Sequence, residues 1–161
     1  MIYYPRLSKK LEALLHRAID MVEDSAVELY FHGYSERLPE IASLNNGWYI
    51  LGTADIHINA NLQASLKIST IIHELAHYYD YMILSSVGST DLENRKPYKR
   101  SNAERLAYYV ERNMIKHLDI DTGEDLTMIS NPDSLWETEK AEAILTYMKK
   151  FFDNTSNKDK I

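Results

Sequence analysis

From Leu7 to Met21 apolar residues recur at Leu7, Leu11, Leu14, Leu15, Ala18 and Met21, three and four apart, with Lys, Glu and Arg between them. That period puts one apolar stripe along a helix and predicts a first helix over 6–24. Next, Val27, Leu29 and Phe31 alternate with Glu28, Tyr30 and His32 as far as Gly33, the two-residue repeat of a half-buried strand. Two short apolar runs flank Asn45-Asn46-Gly47, and Asn-Gly supplies the positive φ values of a tight hairpin. After the turn residues Gly52-Thr53, the segment Ala54 to Ala60 alternates again, so three or four strands follow the first helix.

From Ala64 the period returns to that of a helix. Leu66, Ile68, Ile71, Ile72, Leu75, Ala76, Tyr79, Met82 and Ile83 make a wide apolar stripe that ends near Ser86, the most buried-looking helix of the chain. Gly88 to Lys99 is polar, contains Pro97, and reads as a surface loop. A helix capped by Ser101 or Asn102 should run to about His117. After a polar stretch over 119–134, a last helix spans Leu135 to Phe152 with Leu145, Met148 and Phe152 as anchors. The pattern predicts a single domain over 1–152, with 153–161 a frayed tail.

Composition narrows the function classes. With 161 residues, 45% hydrophobic and 26% charged, the chain suits one ordinary core. It has no apolar run of the roughly 18 residues a membrane span needs, and its opening lacks the apolar stretch of a secretory signal. No cysteine is present, which excludes disulfides and thiolate metal sites. A cytoplasmic protein is expected, with no membrane partner. A net charge of -6, from 18 Lys+Arg against 24 Asp+Glu, repels a phosphate backbone, and the one basic patch, Arg95-Lys96 with Lys99-Arg100, is small. Nucleic acid is not expected as a partner.

The candidate chemistry lies inside the most apolar helix, in His73-Glu74-Leu75-Ala76-His77. Four helical residues place the two imidazoles about 40° and about 6 Å apart on one face, close enough to converge on one cation. With 6 His in 161 residues, roughly 0.02 chance matches to H-E-x-x-H are expected. Isolated imidazoles and a carboxylate are costly among Ile71, Ile72, Leu75 and Ala76, and a metal offsets that cost. Neutral imidazole suits Zn²⁺, and Glu74 beside it can take a proton from water and return it to a leaving amine.

A catalytic zinc site wants a third protein ligand. Asp80 is on the right face but about 10 Å along the axis from His73, which suits an orienting role or an ordinary ion pair with Arg or Lys rather than ligation. Glu104 on the following helix is the stronger ligand, because Ala103 and Ala107 let that helix come close. Glu111, seven residues on and nearly on the same face, is the fallback.

HELAHYYD followed by NAERLAYYVE resembles the gluzincin metallopeptidases, and within them the small single-domain members and the lethal-factor-type and Mlc-titration-factor-type branch. The match covers roughly Ile56 to Glu111. The resemblance implies His73, His77 and Glu104 as zinc ligands and Glu74 as general base. That branch carries a tyrosine seven residues before the ligand Glu, aimed at the oxyanion; here Pro97 holds that position and Tyr98 stands one residue later, so Tyr98 is the implied donor. A weaker likeness, to peptidases that cleave phage-type repressors, would put the ligand Glu on Asn102. The resemblance also implies that Ala54 to Asn61 forms a sheet edge on which a peptide or protein substrate lies extended, with His57 and Asn59 lining the cleft; as a residue, His57 reads as an ordinary exposed strand position rather than a ligand.

The reading is an α+β, zincin-like fold: a small mixed sheet, the H-E-x-x-H helix and further helices. The expected activity is zinc-dependent hydrolysis of peptide bonds. The alternative is a catalytically silent zincin scaffold that binds a protein partner, and the intact Glu74 favours the enzyme.

Overall fold

In the computed structural model, residues 5–33, 46–49, 52–86, 100–126, 129–132 and 134–155 are described. The first stripe forms helix α1 (Pro5–Asp24), which buries Ala18, Met21 and Val22 completely. The helix stops on Ala26, whose φ of 58° is left-handed, while the Val27 amide donates to Val22 O and the Ala26 amide to Glu23 O. This closing motif satisfies the last carbonyls and turns the chain into the sheet.

Three strands follow: β1 (Glu28–His32), β2 (Gly47–Tyr49) and β3 (Asp55–Asn59). Their order is β1-β3-β2, with β3 parallel to β1 and antiparallel to β2. The sheet is therefore mixed, as expected, but β3 is its middle strand. The expectation that 54–61 offers an unpaired edge fails, because β1 takes one side of β3 and β2 the other.

Gly47 is also not a turn residue. It stands in β2 opposite Ile58, and a Cβ there would lie 2.6 Å from the His57 carbonyl oxygen and 2.7 Å from Thr70 Cγ2. Its lack of a side chain serves close approach of the strand to its neighbours, and the turn that follows falls at Gly52, with a φ of 87°. The apolar run before Asn46 lies outside the described residues.

Ile56 and Ile58, both fully buried, face helix α2 (Ala64–Ser86). This helix is apolar nearly all round, with Ile68, Ile71, Ile72, Leu75 and Ala76 fully buried, so it must be covered on several sides. The sheet and α1 pack against it, as do α3 (Arg100–Leu118) and α4 (Leu135–Thr155). Leu106, Ala107, Val110 and Met114 line the buried face of α3. Ser134 caps α4 by accepting the Glu137 amide at 3.1 Å. The last helix continues to Thr155, and Asp153 accepts a bond from His117 Nε2 at 2.9 Å. Among the described residues, no helix is long and apolar enough to cross a membrane.

Candidate metal centre

The site is built where α2 crosses α3. His73 Nε2 lies 3.4 Å from Glu104 Oε2, and His77 Nε2 lies 2.6 Å from Glu104 Oε1. One ligand atom from each of His73, His77 and Glu104 falls within 4.8 Å of the others. Both Nε2 atoms thus address one carboxylate, and the group could hold a metal ion.

His73 Nδ1 makes a separate bond, donating to Glu111 Oε1 at 2.9 Å. As α2 advances from 73 to 77, its partners on α3 step back from 111 to 104, so the two helices run antiparallel. Ala76 and Ala107, one on each helix, are both fully buried. Glu111, expected as the fallback ligand, instead occupies the outer nitrogen of His73, the place from which a carboxylate fixes an imidazole's tautomer and ring orientation.

Burial grades across the cluster: His73, Glu74 and Glu111 are buried, whereas His77 and Glu104 are half-buried. Burial works against a charge on His73, yet its hydrogen bonds to Glu104 and Glu111 prevail and push its pKa up to about 10. Burial likewise works against ionised Glu104, but His73 and His77 hold its carboxyl well below the usual carboxylate range. Without a metal, a proton on His73 therefore supplies the positive charge the carboxylates demand. Glu74 moves the other way, raised by burial despite the pull of His73 and His77.

Two further groups complete the surroundings. The Tyr108 ring meets His73 at 4.4 Å between centroids and 65° between planes. Sequence reasoning passed over this tyrosine, although its place four residues after Glu104 puts it on the same face of α3. Asp80 does not join the imidazoles: its Oδ1 pairs with Lys140 Nζ of α4 at 2.5 Å in a buried contact.

His57 and Asn59 do not join the cluster. His57 stacks on Tyr30 at 5.0 Å and on Trp48 at 4.6 Å, on the sheet face opposite the one that meets α2, and shares a 2.8 Å bond with His32. Tyr98 lies outside the described residues. In comparison with known proteins, the chain matches no family model, no curated protein and no solved structure.

Proposed function

We propose that the protein is a zinc-dependent metallopeptidase of the zincin type. The observation that carries this reading is a buried carboxylate, Glu74, set in the helix between two imidazoles that share a carboxylate from a second helix. The donor set fits zinc: two imidazole nitrogens and one carboxylate oxygen, all within 4.8 Å of one another. Asymmetric burial supports the same reading, because His73 is enclosed while half-exposed Glu104 leaves a side open to solvent.

Bound there, zinc would polarise a substrate carbonyl and acidify water. The residues supply the rest. Glu74 takes a proton from the attacking water and returns it to the departing nitrogen. Glu111 keeps the His73 Nε2 turned toward Glu104.

Substrate recognition is assigned to β2 rather than β3. Gly47 abuts Thr70 and Tyr49 meets the Tyr78 ring, so β2 passes along the stretch of α2 that contains residues 73–77. Among the described residues, nothing pairs with the outer side of β2, where an extended peptide could add through main-chain bonds. The decisive experiment is metal analysis of the purified protein followed by cleavage of a peptide library with and without chelator. About one zinc per chain and chelator-sensitive cleavage are expected; metal-independent cleavage, or a zinc-loaded protein that cleaves nothing, overturns the reading.

A further inference from the structure

We propose that two copies of this chain pair through the outer edge of β1, antiparallel and two-fold symmetric about Tyr30, independently of the metal centre. β1 is an outer strand of the sheet, and among the described residues nothing pairs with its far side. Its five residues, Glu28-Leu29-Tyr30-Phe31-His32, run in unbroken register with β3 and include no Lys, Pro or bulge of the kind that protects a free edge. Tyr30 and Phe31, adjacent large side chains at this margin, are 39% and 37% exposed. An edge so built is a template for another strand.

The main chain sets the register. The Glu28 amide donates to Ala54 O and the Ala60 amide donates to His32 O, both at 2.8 Å, so residues 28 and 32 direct their polar groups to β3. Alternation along the strand turns those of Tyr30 the same way and those of Leu29 and Phe31 outward. In an antiparallel pair, bonded residues face one another and exchange both N–H···O contacts. With Tyr30 on the axis, Leu29 of one copy faces Phe31 of the other, and the symmetry generates that bonded pair twice. The outward amides and carbonyls of both residues are then satisfied.

The side chains agree with that register. Leu29 and Phe31 stand beside Ile56 and Ile58 on the α2 side, where Lys67 Nζ lies 5.9 Å from the Phe31 ring, and the pairing sets Leu29 of each copy against Phe31 of the other. On the opposite face, Glu28 stands against His32 of the second copy at each end, a carboxylate facing an imidazole that can carry positive charge. A parallel pairing in register would set Glu28 against Glu28, so charge selects the antiparallel arrangement. Tyr30, His57 and Trp48 form one row across the strands, with ring centroids 5.0 and 4.6 Å apart, and the Tyr30 pair on the axis continues that row into the second copy. The contact closes on itself and leaves the β2 edge, on the far side of the sheet, available to an extended peptide.

The test combines light scattering with cysteine cross-linking on the full chain, which has no cysteine of its own. The parent should form a concentration-dependent dimer. Glu28→Arg and His32→Glu each set like charges opposite one another at both ends, and each should weaken the dimer about 10-fold. Mixing the two variants should restore dimers, because the mixed pair keeps the native contact at one end and opposes unlike charges at the other. Tyr30→Cys, whose sulfurs meet on the axis, should cross-link under mild oxidation far faster than Glu28→Cys, whose sulfurs lie at opposite ends of the strand pair. Should circular dichroism show either charge variant unfolded, the two Cys variants decide. A parent that stays monomeric up to about 0.5 mM, a dimer indifferent to both charge variants, or equal cross-linking at the two positions overturns the proposal.

Discussion

His73 Nδ1 donates to Glu111 Oε1 at 2.9 Å, and both side chains are nearly sealed from solvent. Because the outer nitrogen is taken, only Nε2 is left to face Glu104, and the ring cannot turn without abandoning a buried carboxylate. Glu111→Ala should therefore weaken zinc binding about 10–100-fold, and Glu111→Gln, which still offers an acceptor oxygen, by less. Competition against a chromophoric chelator measures both. Equal affinity in parent and Ala variant would show that the bond does not orient His73.

Glu74→Gln should retain zinc and lose hydrolysis by about 10²–10⁴-fold or more, since an amide cannot accept the proton of water. His77→Ala should lose metal and activity together. Zinc content by atomic absorption and turnover on the same preparations separate the two effects, and a Gln variant as active as the parent rules out Glu74 as base.

The metal-free protein should show a characteristic pH profile. His73 is raised from 6.5 to about 10, so its contribution to stability is whole below 6.5 and is lost as pH climbs toward 10. Glu104 is held below 4.5, so its contribution is present above 4.5 and is lost as pH falls below that value. Chelator-treated protein should be most stable between 4.5 and 6.5 and weaken toward alkaline pH. Zinc should add more stability as pH rises, because it displaces the His73 proton. Thermal melts across pH with and without zinc test this, and a metal-free profile that stays flat above 6.5 contradicts it.

Lys140→Met should cost about 3–5 kcal/mol, because it takes an opposite charge away from the buried Asp80 carboxylate. The double replacement Asp80→Leu with Lys140→Met should cost far less, since no charge is left without its partner. Denaturant unfolding of the two single variants and the double variant gives the coupling, and additive losses would mean the pair is energetically inert.

Gly47→Ala should destabilise by about 1–3 kcal/mol, because the added Cβ meets a backbone carbonyl oxygen at 2.6 Å and Thr70 Cγ2 at 2.7 Å. Adding Thr70→Ser, which removes the crowding methyl, should recover part of the loss. A melting temperature unchanged in Gly47→Ala would mean that the strand is not held this close to α2.

The helices and the His73–His77 pair were legible in the sequence because both follow from local geometry: a 3.6-residue period fixes which side chains share a face, whatever lies opposite. The alternation around β1 and β3 was legible for the same reason, with a period of two. Strand order was not, because pairing joins residues far apart in the chain, and β3 turned out to be the middle strand rather than an edge. The carboxylates illustrate the same division. Sequence placed Glu104 and Glu111 on one face of α3, but only the antiparallel crossing of α3 on α2 set Glu104 between the two Nε2 atoms and Glu111 behind His73. Asp80, suitably placed on its own helix, was drawn to Lys140 because α4 packs there, and a buried charge takes the opposite charge that tertiary packing brings to it.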